Sequence, residues 1–142
     1  MTQNQPDDRA APQLTEDEMA YVLSLFDMAR SGDTENLLTA VRAGVPANLT
    51  NGKGDTLLIL SAYHQHEETV AALLAAGADP DRVNDNGQTA LMSAVFRGSE
   101  SIVRALLAAG ASQTAGAHTA ADFARVFERT ELLPVLEERA RS

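Results

Sequence analysis

Apolar residues along this chain fall in short stripes at helical spacing, and the stripes repeat. Met19, Val22, Leu23, Leu25, Phe26 and Ala29 would fill one broad helix face. Leu37, Leu38 and Val41 follow, then a compact block from Thr56 to Ala62, then a stripe of Val70, Leu73 and Leu74. The block and stripe come round again 33 positions later: Thr56-Leu57-Leu58 as Thr89-Ala90-Leu91, Val70 as Val103, and Leu73-Leu74 as Leu106-Leu107. Gly44, Gly77 and Gly110 keep the same interval. A fixed period of this length, with one small-residue turn and one apolar helical stripe per copy, predicts an all-α solenoid of stacked helix-turn-helix pairs.

Start and stop signals divide the chain further. Thr15 opens the first helix, with Glu18 placed to complete a capping box, and Asp33 follows the break at Gly32 to cap the second. Thr119 opens a last pair, with Phe123, Ala124, Leu132, Leu133 and Leu136 apolar and Glu137, Glu138, Arg139 and Arg141 toward water, as a solenoid end requires. Stretches such as 78–88, rich in Asp, Asn, Pro and Gly, predict β-hairpin-like finger loops between pairs. The expected organisation is a disordered N-terminal tail over 1–14 and a repeat domain over 15–142, with repeats at about 17–50, 51–83, 84–116 and 117–140.

Two irregularities stand out. Gln65 and Glu128 occupy the turn position held elsewhere by Gly32 and Gly98, so a left-handed backbone there would cost ~1–2 kcal/mol. The last step, from Thr89 to Thr119, is 30 residues rather than 33.

Thr56-Leu57-Leu58-Ile59, Thr89-Ala90-Leu91-Met92 and Thr119-Ala120-Ala121-Asp122, together with Gly77-Ala78-Asp79, resemble the helix-opening and repeat-closing motifs of the ankyrin repeat. The similarity covers roughly Met19 to Ala140. It departs from the family in lacking the proline after each threonine and in carrying Ile59, Met92 and Asp122 where the family has histidine, so that histidine's bonds between repeats are expected to be missing. The resemblance implies a protein-binding module that presents a rigid concave groove and finger loops. It also implies an alternative, because some short bacterial ankyrin proteins are encoded beside catalases and linked to peroxide defence or haem supply. In that alternative the chain is an accessory protein for haem handling, with His64 or His118 as axial ligand.

Charge narrows the partner. Twenty acidic against eleven basic residues give a formal net charge of -9, which repels phosphate backbones and anionic headgroups, so neither nucleic acid nor membrane is expected. The expected partner is another protein, one with a basic patch if Asp79, Asp81 and Asp85 act together on their finger. The absence of cysteine excludes disulfides and leaves the redox compartment undecided; the first residues lack the basic and apolar regions of a secretory leader, and a cytoplasmic monomer is expected. No metal or other cofactor is called for.

Catalytic signatures are missing from the sequence. Gly52-Lys53-Gly54-Asp55-Thr56 lacks the spacing of a phosphate loop, and the run 79–87 fails the register of a calcium loop, because Arg82 would be its first ligand. His64 and His66 are two residues apart and do not share a helix face. No nucleophile elbow or zinc-protease motif is present, so an enzyme is not expected.

The informative candidates are aromatic. Tyr63 and Phe96 share one repeat position and Phe127 lies one further along, where the resemblance implies the concave face; His64 and Arg97 adjoin them. Aromatic and arginine side chains are the types that anchor protein interfaces. Lys53, Asp55, Asp81, Asp85, Asn86 and Gln88 on the fingers would supply the polar rim.

Overall fold

The computed structural model describes residues 14–141; the expected tail, Leu14 apart, lies outside the described residues. The described residues form eight α-helices: α1 (Glu16–Ser31), α2 (Thr34–Arg42), α3 (Leu57–Tyr63), α4 (Glu67–Ala75), α5 (Ala90–Arg97), α6 (Glu100–Ala108), α7 (Ala120–Val126) and α8 (Leu133–Arg141), with a 3-10 turn at Thr130–Leu132 before the last. Consecutive helices pair, and the pairs stack. α1, α3, α5 and α7 make an inner row, while α2, α4 and α6 make an outer one.

Helices of seven to nine residues, such as α3 to α7, are too short to persist alone, so caps and burial must hold them. Each inner helix begins at a threonine whose hydroxyl accepts an orphan amide: Thr56 from Ile59 at 3.0 Å, Thr89 from Met92 at 3.2 Å and Thr119 from Asp122 at 3.0 Å. Thr15 and Glu18 form the expected reciprocal box. α3 is buried on every side from Leu57 to Ala62, and Leu25, Phe26, Val70, Leu73, Leu91, Ile102, Leu106, Phe123 and Leu136 continue its core from end to end. The buried hydroxyl of Ser61 is satisfied by the Leu57 carbonyl at 2.8 Å.

α1 departs from expectation. Met19 and Leu23, read as part of its apolar stripe, are 45% and 55% exposed. Sixteen residues make α1 about 24 Å long, against about 10 Å for the seven of α3, so its first turns run beyond what its neighbours cover.

The fingers achieve their hairpin-like form without strands. Among the described residues the only β feature is an isolated bridge between Thr50 and Thr56. Asn51 closes one finger, its N–H donating to the Asp55 carbonyl at 3.0 Å and its side-chain oxygen accepting from Lys53 and Asp55 amides. Asn84 repeats this with Gln88 and Asn86, and the fingers are linked by Asp85 N–H to the Lys53 carbonyl at 3.0 Å and by Asn84 Nδ2 to Asp55 Oδ1 at 2.8 Å.

A left-handed residue turns each inner helix into its outer partner: Gly32 (φ 80°), Gln65 (φ 65°), Gly98 (φ 72°) and Glu128 (φ 59°). Three of these turns lie against a side chain of the following repeat, and their residues match it in size. His66 Nε2 donates to the Arg30 carbonyl at 2.6 Å, and a Cβ on Gly32 would stand 2.6 Å from the His66 ring. Arg129 Nε donates to the Phe96 carbonyl at 3.0 Å, and a Cβ on Gly98 would stand 3.2 Å from its guanidinium. Between them the reaching residue is only Ser99, and it meets a side chain instead, its hydroxyl donating to Gln65 Oε1 at 3.0 Å. Glycine thus makes room for a long donor, and Gln65 reaches out to a short one. Together with the 2.6 Å contact between Thr34 and Thr69 hydroxyls, these bonds join successive repeats at the turn end of the inner helices.

Candidate functional site

The stacking of inner helices brings the aromatic residues into a row. Tyr63 ends α3, Phe96 lies near the end of α5, and Phe127 caps α7. The Tyr63 and Phe96 rings lie 6.0 Å apart and nearly parallel at 8°, while Phe127 meets Phe96 edge-on at 4.8 Å and lies tilted at 55° to Phe123 at 4.7 Å. The row both packs and shows itself: Tyr63 is 39% and Phe127 41% exposed, with Phe96 half-buried between them. The shortened last step places Val126, not Phe127, in strict register, and Val126 turns out to solvent at 71% exposure.

Basic groups surround Tyr63. The Arg97 guanidinium lies 5.1 Å from the ring centroid, and the His64 ring stands edge-on to it at 5.2 Å. Arg30 lines the same open groove, of about 640 Å³, together with Leu23, Lys53, Asp55, Tyr63, His64, Asn86 and Gln88. Burial, and then the nearby charges of His66, Arg97 and Arg30, hold the His64 imidazole below its ordinary value of 6.5. A smaller recess of about 220 Å³ continues the groove over Phe96, Phe123 and Phe127. Arg30 and Leu23 were not among the sequence candidates, although Arg30 precedes Tyr63 by one 33-residue period.

The finger residues divide. Lys53, Asp55, Asn86 and Gln88 line the groove, and Asp85 is exposed on the same finger as Asn86. Asp81 lies apart, where its carboxylate accepts the Ser112 amide of the next repeat at 2.7 Å. Asp79 is engaged as well, with Arg82 at 3.4 Å, so of the acidic trio only the Asp85 carboxylate lacks such a bond among the described residues.

His64 and His118 are both exposed and line different recesses, on either side of Asn86 and Gln88. Neither recess brings two imidazoles together, and among the described residues no group of three or more His, Cys, Asp or Glu is placed to hold a metal ion. His66 is engaged by the Arg30 carbonyl. No helix among the described residues is long and apolar enough to cross a membrane.

Comparison with known proteins agrees with this geometry. A family model described as "Ankyrin repeats (3 copies)" matches residues 25–116. A Pseudomonas aeruginosa protein named as an ankyrin repeat protein is 43% identical over 63 residues, which cover 44% of this chain and 37% of that relative. The matched stretch is therefore well under two thirds of the relative's length. With the repeat unit matched over more than half the chain and the helix pairs stacked as that unit requires, the chain belongs to the ankyrin-repeat family, whose general role is protein–protein interaction.

Proposed function

We propose that the chain is a protein-binding module whose contact surface is the groove formed by the ends of the inner helices and the fingers. The observation that carries this reading is the half-exposed aromatic row across three repeats, with Arg97 and His64 beside it. Tyr63, Phe96 and Phe127 act as anchors, and Lys53, Asp55, Asp85, Asn86 and Gln88 form the rim. The repeat domain begins at residue 15, and its stacked repeats hold the anchors at fixed spacing, so little conformational entropy is lost when a partner docks. Because the Asp79 and Asp81 carboxylates are engaged within the molecule, the finger has less to offer a basic patch than its sequence suggests.

The test is a double substitution. Tyr63→Ala with Phe127→Ala removes the two most exposed rings of the row while sparing the half-buried Phe96. A partner captured by the intact chain should bind ~2–4 kcal/mol more weakly, the range of interface anchors, with the helical circular dichroism signal retained at the temperature of the assay. Undiminished capture by the folded variant would place the contact surface elsewhere.

A further inference from the structure

Basic groups gather around Tyr63 within a molecule that is acidic as a whole. The chain as a whole carries a formal charge of -9, and several of its described arginines face acids of their own: Arg82 faces Asp79, Arg104 faces Glu100 and Glu138, and Arg125 faces Asp122. Around Tyr63 the balance differs. Among the described residues no carboxylate lies within ion-pair distance of Arg97 or Lys53. Arg30 keeps its partner Asp27 at 2.9 Å on the exposed side of α1, and Asp55, the acid lining the groove, already accepts from Asn84 Nδ2 at 2.8 Å.

Arg97 is set up for more than packing. Its guanidinium lies 5.1 Å from the Tyr63 ring centroid and makes no ion pair or side-chain hydrogen bond among the described residues, so its N–H fork is available to a carboxylate in two-point geometry. The same Tyr63 ring meets His64, and Arg30 from α1 lines the groove with both; the apolar flanks are Leu23 on one side and the recess over Phe96 and Phe127 on the other. We propose that this centre, Arg97 and Arg30 with the His64 imidazole beside the Tyr63 ring, takes an acidic segment of a partner protein whose carboxylates alternate with aromatic or aliphatic side chains.

The inference rests on the groove being the contact surface and adds the chemistry of what enters it. The charged and titratable groups that face His64 are His66 from its own turn, Arg30 from α1, Arg97 from α5, and Lys53 and Asp55 from the finger. Apart from Asp55 they oppose a proton on the imidazole, and a docked carboxylate favours one. Binding of an acidic segment is therefore coupled to proton uptake at His64, and it strengthens as pH falls from neutrality through the range in which the imidazole titrates.

The experiment is an NMR titration of the whole chain with two blocked peptides, Glu-Phe-Asp-Phe-Glu and its neutral isostere Gln-Phe-Asn-Phe-Gln. The acidic peptide should bind at least about tenfold more tightly, as charge-assisted contacts require, with shifts at Tyr63, His64 and Arg97 and an upward move of the His64 titration. Arg97→Gln should remove most of that difference and Arg97→Lys only part of it, both variants melting with the parent. Equal binding of the two peptides in the groove, or no groove shift with either, overturns the acidic-segment assignment and leaves the groove itself standing. Shifts confined to α2, α4 and α6 overturn both. A short oligothymidylate that binds the groove as tightly as the acidic peptide overturns the choice of a protein segment.

Discussion

The matched pairs at the left-handed turns can be exchanged, and the energetics of the exchange follow from their geometry. Gln65→Gly relieves a left-handed glutamine, worth ~1–2 kcal/mol. It adds the entropic cost of glycine, ~0.5–1 kcal/mol, and loses the exposed Ser99 to Gln65 bond, ~0.5–1 kcal/mol. The sum is near zero. Ser99→His alone also loses that bond and brings a ring toward a position that now carries a Cβ, where the equivalent ring over Gly32 would stand 2.6 Å from one. A loss of ~1–2 kcal/mol is expected from a lost bond and displaced packing. Combined, the two changes recreate the His66 and Gly32 arrangement, with a new donor to the Tyr63 carbonyl worth ~0.5–1.5 kcal/mol. The double variant should thus be at least as stable as the parent, with a coupling of ~1–3 kcal/mol in a double-mutant cycle. Urea midpoints at constant m-value measure all four states. Additivity within ~0.5 kcal/mol, the expectation for independent sites, would refute the size-matching argument.

Asp81→Ala should lower stability by ~1–3 kcal/mol, because it leaves the half-buried Ser112 amide without its acceptor; a change confined to partner association rate, with the melt intact, would return Asp81 to the rim. His64 gives a pH signature of its own. Its folded value lies below 6.5, so between the two values the unfolded chain binds more protons, and the stability His64 contributes is present above pH 6.5 and lost as pH falls through the folded value. The difference in urea midpoint between parent and His64→Gln should vary with pH only there, and a difference independent of pH would contradict the lowered imidazole.

Much of the fold was legible because a period of 33 residues leaves few ways to bury its stripes. Each threonine signals an inner helix start and each apolar doublet an outer helix, and the turn position is fixed by the glycines on either side of Gln65. Exposure was less legible. Spacing gives Met19 and Leu23 the same stripe as Phe26, yet only tertiary length decides which turns of α1 find a neighbour. The aromatic row was placed by register, but register could not say that the rings would both stack and remain half open, because that depends on ring orientation.

The gathering of basic residues around Tyr63 was hidden for a different reason. Composition averages charge over the whole chain, whereas a docking side chain senses charges within about one Debye length, ~8 Å at physiological salt. The acidic total speaks for the field at range, and Arg30, His64 and Arg97, drawn from three repeats, speak for the field at contact. The same period that exposed the fold holds the clue, since Arg30 lies one repeat before Tyr63 and His64 one repeat before Arg97. Two adjacent repeat positions thus carry every member of the centre. An acidic segment approaching it is first repelled by the molecule and then held by the groove, so salt should speed its arrival while weakening its grip, a pairing that neither a uniformly acidic nor a uniformly basic surface produces.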